Sequence, residues 1–150
     1  MSNTTQTLGP SLTIRRTFNA PRERVFAAFT DPTLLVRWLG PDDVTMSDVA
    51  FDARVGGALR FVYNSPNMGE MIVTGTVTAL RRPEHLAYTW TWEEDDKADE
   101  HESAIHIDFI AHGNETEVRF VHANLKSVES RDRHEGGWTD AFHNLGQLFA

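Results

Sequence analysis

The side chains best equipped for chemistry in this chain are rings, with no obvious nucleophile among them. The sequence contains no cysteine, which removes thiolate catalysis, disulfides and cysteine-ligated metal centres. A glycine-rich phosphate cradle, a Gly-x-Ser-x-Gly elbow and a His-Glu-x-x-His pair are also missing from the sequence. What remains is a set of aromatics at regular spacing. Tyr88, Trp90 and Trp92 alternate along one tract, Trp38 closes a short helical one, and Trp138 and Phe142 stand one helical turn apart. Single aromatics at such positions usually build plain core. As a group, set opposite Gly136-Gly137, they predict irregular space that an apolar molecule could fill.

His122 shares the parity of Val118 and Phe120 and is expected to point inward. A buried neutral imidazole can orient a ligand oxygen or act as a general base. With no nucleophile or fixed carboxylate partner evident nearby in sequence, a ligand contact is the expected role. Arg54, just before Gly56-Gly57, could position a hairpin through a salt bridge or meet an anionic ligand group. Phe61 and Tyr63 on one strand and Met71 and Val73 on the next complete the expected lining. His101, His106, His134 and His143 offer no helical i, i+4 pair with a third ligand in view, and His106 alternates with Ile105 and Ile107 toward solvent. The acidic tract Glu93 to Glu102 lacks the glycine turn and ligand alternation of a calcium loop. It reads as a solvated linker. We expect no metal and no cofactor.

These residues must be held by a definite order of elements. Ser11 to Phe18 alternates as a half-buried strand, with Arg16 expected at its rim. A helix is predicted from about Pro21, and Thr30-Asp31-Pro32 ends it and caps a second, which Gly40-Pro41 stops. Strands follow over Val44 to Asp52, Ala58 to Asn64, Glu70 to Leu80 with a bend or bulge at Gly75, Leu86 to Trp92, Ser103 to Phe109, and Thr116 to His122. Trp138, Ala141, Phe142, Leu145, Leu148 and Phe149 recur at helical steps, behind Ser127 as a cap. The sequence ends on Phe149-Ala150 without a cap or basic last turn, an ending expected of a helix that continues past the given residues. One long helix must cover the sheet's apolar face yet cannot fill its concave side, so a space between them is the default binding site.

Composition narrows the partners. A chain of 150 residues predicts one domain, here 11–150, behind a mobile polar tail over 1–10. The start has neither a basic segment nor an apolar run, so it does not read as a secretion signal, and no stretch is long and apolar enough to span a bilayer. A cytoplasmic location is expected. The formal charge of −8 disfavours binding to nucleic acid. An exposed sheet edge would permit a homodimer.

Five tracts in order carry a resemblance: Arg16-x-Phe-x-Ala-Pro-x-x-x-Val-Phe-x-Ala-Phe-Thr-Asp-Pro, Arg37-Trp-Leu-Gly-Pro41, Arg54-Val-Gly-Gly57, Pro83-Glu-His-Leu86 and Gly137-Trp138. Over about Leu12 to Leu148 the chain resembles the START-like, helix-grip (SRPBCC) superfamily. Within it, the chain is most similar to the group resembling the C-terminal domain of the activator of the heat-shock-protein-ninety ATPase. The resemblance implies an α+β helix-grip fold: a curved antiparallel sheet, with two short helices after its first strand, wrapped around a long C-terminal helix. It also implies a cavity for a hydrophobic or amphipathic small molecule. The superfamily spans carriers, hormone receptors, cyclases and chaperone activators, so the resemblance does not select one activity. Eukaryotic activators carry an additional N-terminal domain that contributes to chaperone binding, for which 150 residues leave no room. We therefore expect a small-molecule binding protein first, with a chaperone ATPase co-factor or a cyclase- or hydrolase-type enzyme as the alternatives.

Overall fold

Strand β1, Leu12–Phe18, buries Leu12 and Phe18 at its two ends and leaves Arg15 and Arg16 exposed, in the computed structural model that describes residues 9–150. Arg16 lies at the rim as expected, its guanidinium 5.3 Å from the Phe18 ring centroid. Helix α1, Arg22–Thr30, starts one residue later than the sequence predicts, because Pro21 serves as its extended N-cap instead of its first helical residue. The single turn α2, Pro32–Leu35, is capped by Asp31, whose carboxylate accepts from the Thr33 amide at 2.9 Å. Asp31-Pro32 thus ends one helix and begins the next, the dual role that its cap-and-proline chemistry allows.

Six more strands follow: β2 Thr45–Phe51, β3 Ala58–Ser65, β4 Gly69–Arg81, β5 His85–Trp92, β6 Ser103–His112 and β7 Glu115–Ala123. They form one seven-stranded antiparallel sheet in the order β1-β7-β6-β5-β4-β3-β2. Helix α3, Val128–Gln147, is capped by Ser127, whose hydroxyl accepts from the Ser130 amide at 3.0 Å. Its buried face, Trp138, Ala141, Phe142 and Leu145, packs with Phe18, Phe29 and Phe120. This is the α+β helix-grip fold, with α1, α2 and α3 on the concave face of a curled sheet.

Two local expectations change. The bulge of β4 against β5 falls between Val77 and Ala79, past Gly75. Gly75 answers a different need: a Cβ there would run into the Thr89 carbonyl on β5, so the two backbones approach closely at this point. Two residues of the tail expected over 1–10, Gly9 and Pro10, are hydrogen-bonded to the rest of the chain. The Gly9 amide donates to Asn124 Oδ1 at 2.9 Å, and the Leu125 amide donates to the Pro10 carbonyl at 2.8 Å. These two residues are tied to the chain leaving β7; residues 1–8 lie outside those described.

Candidate binding cavity

Between the open half of the sheet and the first half of α3 lies a cavity of about 710 Å³. Its inner wall is aromatic: Tyr63 from β3, Trp90 and Trp92 from β5, and Trp138 from α3, with Met71 from β4 beside them. The rings touch. Trp90 lies 5.1 Å from Trp138 and 5.7 Å from Trp92, and Tyr63 lies 5.2 Å from Trp92, centroid to centroid. A second hollow, about 650 Å³ around α2 and residues 40–46, has no aromatic lining and lies outside this wall.

Two histidines meet the wall, His134 as part of the cavity lining and His122 buried behind Trp138, and their tautomers follow from the groups that face them. An indole N–H can only donate. Trp138 Nε1 donates to His122 Nδ1 at 3.1 Å, so the His122 proton sits on Nε2, 2.8 Å from Ser103 Oγ, and Ser103 in turn donates to the Trp90 carbonyl at 3.0 Å. Trp92 Nε1 donates to His134 Nε2 at 2.9 Å, which leaves His134 Nδ1–H to donate to the Ser130 carbonyl at 2.8 Å. The imidazoles themselves are 5.0 Å apart, edge to face. Burial, and secondarily the nearness of His134, pushes the His122 pKa down to about 3. Burial also lowers that of His134, against the raising effect of the Ser130 carbonyl. Both rings are therefore neutral near pH 7, with each nitrogen committed to a partner. Burial pushes the Tyr63 and Tyr88 hydroxyls up, so both remain phenols.

The remaining candidate residues stand elsewhere. Trp38 is 1% exposed and donates to the Ala28 carbonyl at 2.8 Å, which makes it a strut between α1 and the turn after α2 instead of a cavity wall. Phe61, Val73, Tyr88 and Phe142 are enclosed in the core, with Tyr88 edge-on to Phe51 at 5.8 Å. His122 has no exposure and lies one layer behind Trp138. Arg54 is on the surface, its Nε 2.8 Å from Asp52 Oδ2, so it fastens the β2–β3 hairpin. The acidic tract read as a plain linker contains a single 3-10 turn, Lys97–Asp99, and brings Glu93, Glu94, Asp95 and Asp99 to the cavity.

Sequence reasoning missed His134, Ser103 and Ser130. His134 had a signal: it stands four residues before Trp138, hence on the same helical face. Ser103 had none, since its role depends on pairing with Trp90 across the β5–β6 ladder. Among the described residues, no group of three or more His, Asp or Glu is placed to hold a metal ion.

One polar atom of the wall is unmatched. Trp90 is 2% exposed, and its Nε1 is buried with no hydrogen-bond partner among the described residues. A buried N–H left so costs about 1–3 kcal/mol. Trp90→Phe removes it while keeping a ring, so urea unfolding should show a stability change within about 1 kcal/mol of zero, where an ordinary buried Trp loses more. A loss above about 3 kcal/mol would show that the N–H is paired after all.

The comparisons agree with this architecture. Residues 19–150 match the family model described as Activator of Hsp90 ATPase homolog 1-like protein. No curated protein matches the chain. Among solved structures, an AHSA1 protein from Silicibacter pomeroyi is 27% identical, covering 93% of this chain and 96% of its own, with a TM-score of 0.83. A protein from Rhodobacter sphaeroides is 25% identical over 95% of both chains, with a TM-score of 0.78. One from Chromobacterium violaceum is 25% identical over 93% of this chain and 96% of its own, with a TM-score of 0.81. With its helix-grip sheet, two short helices and long closing helix, and a family match over most of its length, the chain belongs to the Activator of Hsp90 ATPase homolog 1-like family of the START-like superfamily.

Proposed function

We propose that this protein binds an apolar or amphipathic small molecule in the space between sheet and α3, without transforming it. The observation that carries this reading is the cavity of about 710 Å³ walled by Tyr63, Trp90, Trp92 and Trp138. That volume suits a drug-sized ligand, and the mix of large rings with a few polar groups is typical of such sites. A noncatalytic role fits because the imidazole nitrogens are already spent on indoles, a serine and a carbonyl. A cytoplasmic setting fits a chain in which no described helix is long and apolar enough to cross a membrane.

The family's name favours a second reading, stimulation of a chaperone ATPase through an outer surface. One experiment separates the two: a thermal-shift screen of small neutral apolar compounds, run beside a chaperone ATPase assay. Binding predicts a concentration-dependent rise in melting temperature, about 2.7 kcal/mol of added stability at a hundredfold excess over Kd. No stabilisation by any compound, together with a stimulated ATPase, would replace the first reading with the second.

A further inference from the structure

The mouth of the cavity is charged on one side of neutrality. Glu70, Glu93, Glu94, Asp95 and Asp99 line it and are exposed. The facing cations are Lys126 and Arg133, and Arg133 Nη1 is already 2.8 Å from Glu129 Oε1. His134 in the lining and His122 behind Trp138 add no positive charge, since each accepts an indole N–H on a ring nitrogen. The rings add no cation either: Trp92 and Trp138 donate their indole N–H groups to the histidines.

Resting on the reading of this cavity as a ligand site, we infer that its occupant is a cationic amphiphile: an apolar or aromatic body seated among Trp90, Trp92 and Trp138, with an ammonium group toward the acidic mouth. A carboxylate or sulfate ligand of the same shape meets repulsion from five carboxylates. A neutral one gains nothing from them.

The test compares three molecules of one chain length, octyltrimethylammonium, 1-octanol and octanoate, by titration calorimetry on the full chain. The cation should bind about tenfold or more tighter than octanol, with octanoate weakest. Its advantage should shrink in roughly 0.5 M salt, where surface charges are screened. The combined variant Glu93→Gln, Glu94→Gln, Asp95→Asn, Asp99→Asn should bring the ratio of cation to octanol affinity close to one. Gly137→Leu, which takes the space beside Trp138, should weaken binding of the cation tenfold or more. Octanol binding as tightly as the cation, or octanoate binding best, overturns the inference while the cavity reading stands. Undiminished binding of the cation to Gly137→Leu places it on the acidic exterior and overturns the inference as well. If none of the three binds, both readings fall.

Discussion

Acidification from pH 7 to pH 4 should remove about 3 kcal/mol of stability through His122 alone, and His122→Asn should lose that share of the pH dependence. In the unfolded chain a histidine titrates near pH 6.5. In the folded protein His122 stays neutral down to about pH 3, because it is buried and its Nδ1 is occupied by the Trp138 indole. Below pH 6.5 the unfolded state therefore binds a proton that the native state refuses. Stability present above that pH falls by about 1.4 kcal/mol per unit until the folded ring also protonates near pH 3. His134, lowered in the same direction, adds to the slope. Asparagine can still accept the indole N–H through its side-chain oxygen, so the variant should fold with a lower stability at pH 7 and a shallower decline. Urea titrations of both proteins at half-unit steps give the two slopes. Equal slopes would mean that His122 is protonated in the native state and that the indole bond is not made as described.

The second large effect is expected at Gly137. Glycine inside a helix costs roughly 1 kcal/mol relative to alanine, and α3 carries two in succession. The sequence suggests a kink or a close approach of the helix backbone to the sheet or to a bound molecule. The structure removes the sheet from that choice, for a Cβ at Gly136 or Gly137 would meet nothing within 4 Å. The two then differ in one respect: Gly136 is exposed, while Gly137 lines the cavity. Gly136→Ala and Gly137→Leu should each raise stability by about 0.5–1 kcal/mol, since neither replaces a packed neighbour. Only Gly137→Leu should weaken ligand binding, by tenfold or more, because its side chain takes the space beside Trp138. The pair separates stability from function within one turn of helix. Binding lost equally in both variants would point to a change in the helix itself, and binding kept in both would place the ligand elsewhere.

How far the molecule could be read from its sequence depended on the range of the interactions involved. Local signals were sufficient for the elements: alternation for β1 and β5, Asp31-Pro32 for the join of α1 and α2, Ser127 for the start of α3. The same signals give each ring a side, inward or outward, but not a depth. Tyr88 and Trp90 share a face of β5, yet Tyr88 is closed off against Phe51 while Trp90 meets the cavity. Trp38 was on the correct face as well, and the Ala28 carbonyl ten residues away decided its role. Arg54 turned on a carboxylate two residues back, Asp52, that the family pattern did not single out. The acidic tract looked featureless because charge runs are usually solvated faces. Its relation to the cavity comes from the hairpin it closes, which is a property of the ladder and not of the tract.

That ladder sets a boundary inside the protein between what is fixed and what is free to vary. On the β6 side, the last rung of the β5–β6 hairpin joins Trp90 to Ser103, and the hydrogen bonds that begin at Trp138 pass through His122 and Ser103 to end on the Trp90 carbonyl of that same rung. Everything from Glu93 to Glu102 lies beyond that rung. Glu93 is still tied to the Ile72 carbonyl and His101 to that of Asn124, so the stretch between these two anchors is the part that can change in length and charge, much as an interchangeable collar fits a common vessel. Relatives that keep Trp90, Ser103, His122 and Trp138 but carry a different loop would share one interior and differ in what they admit.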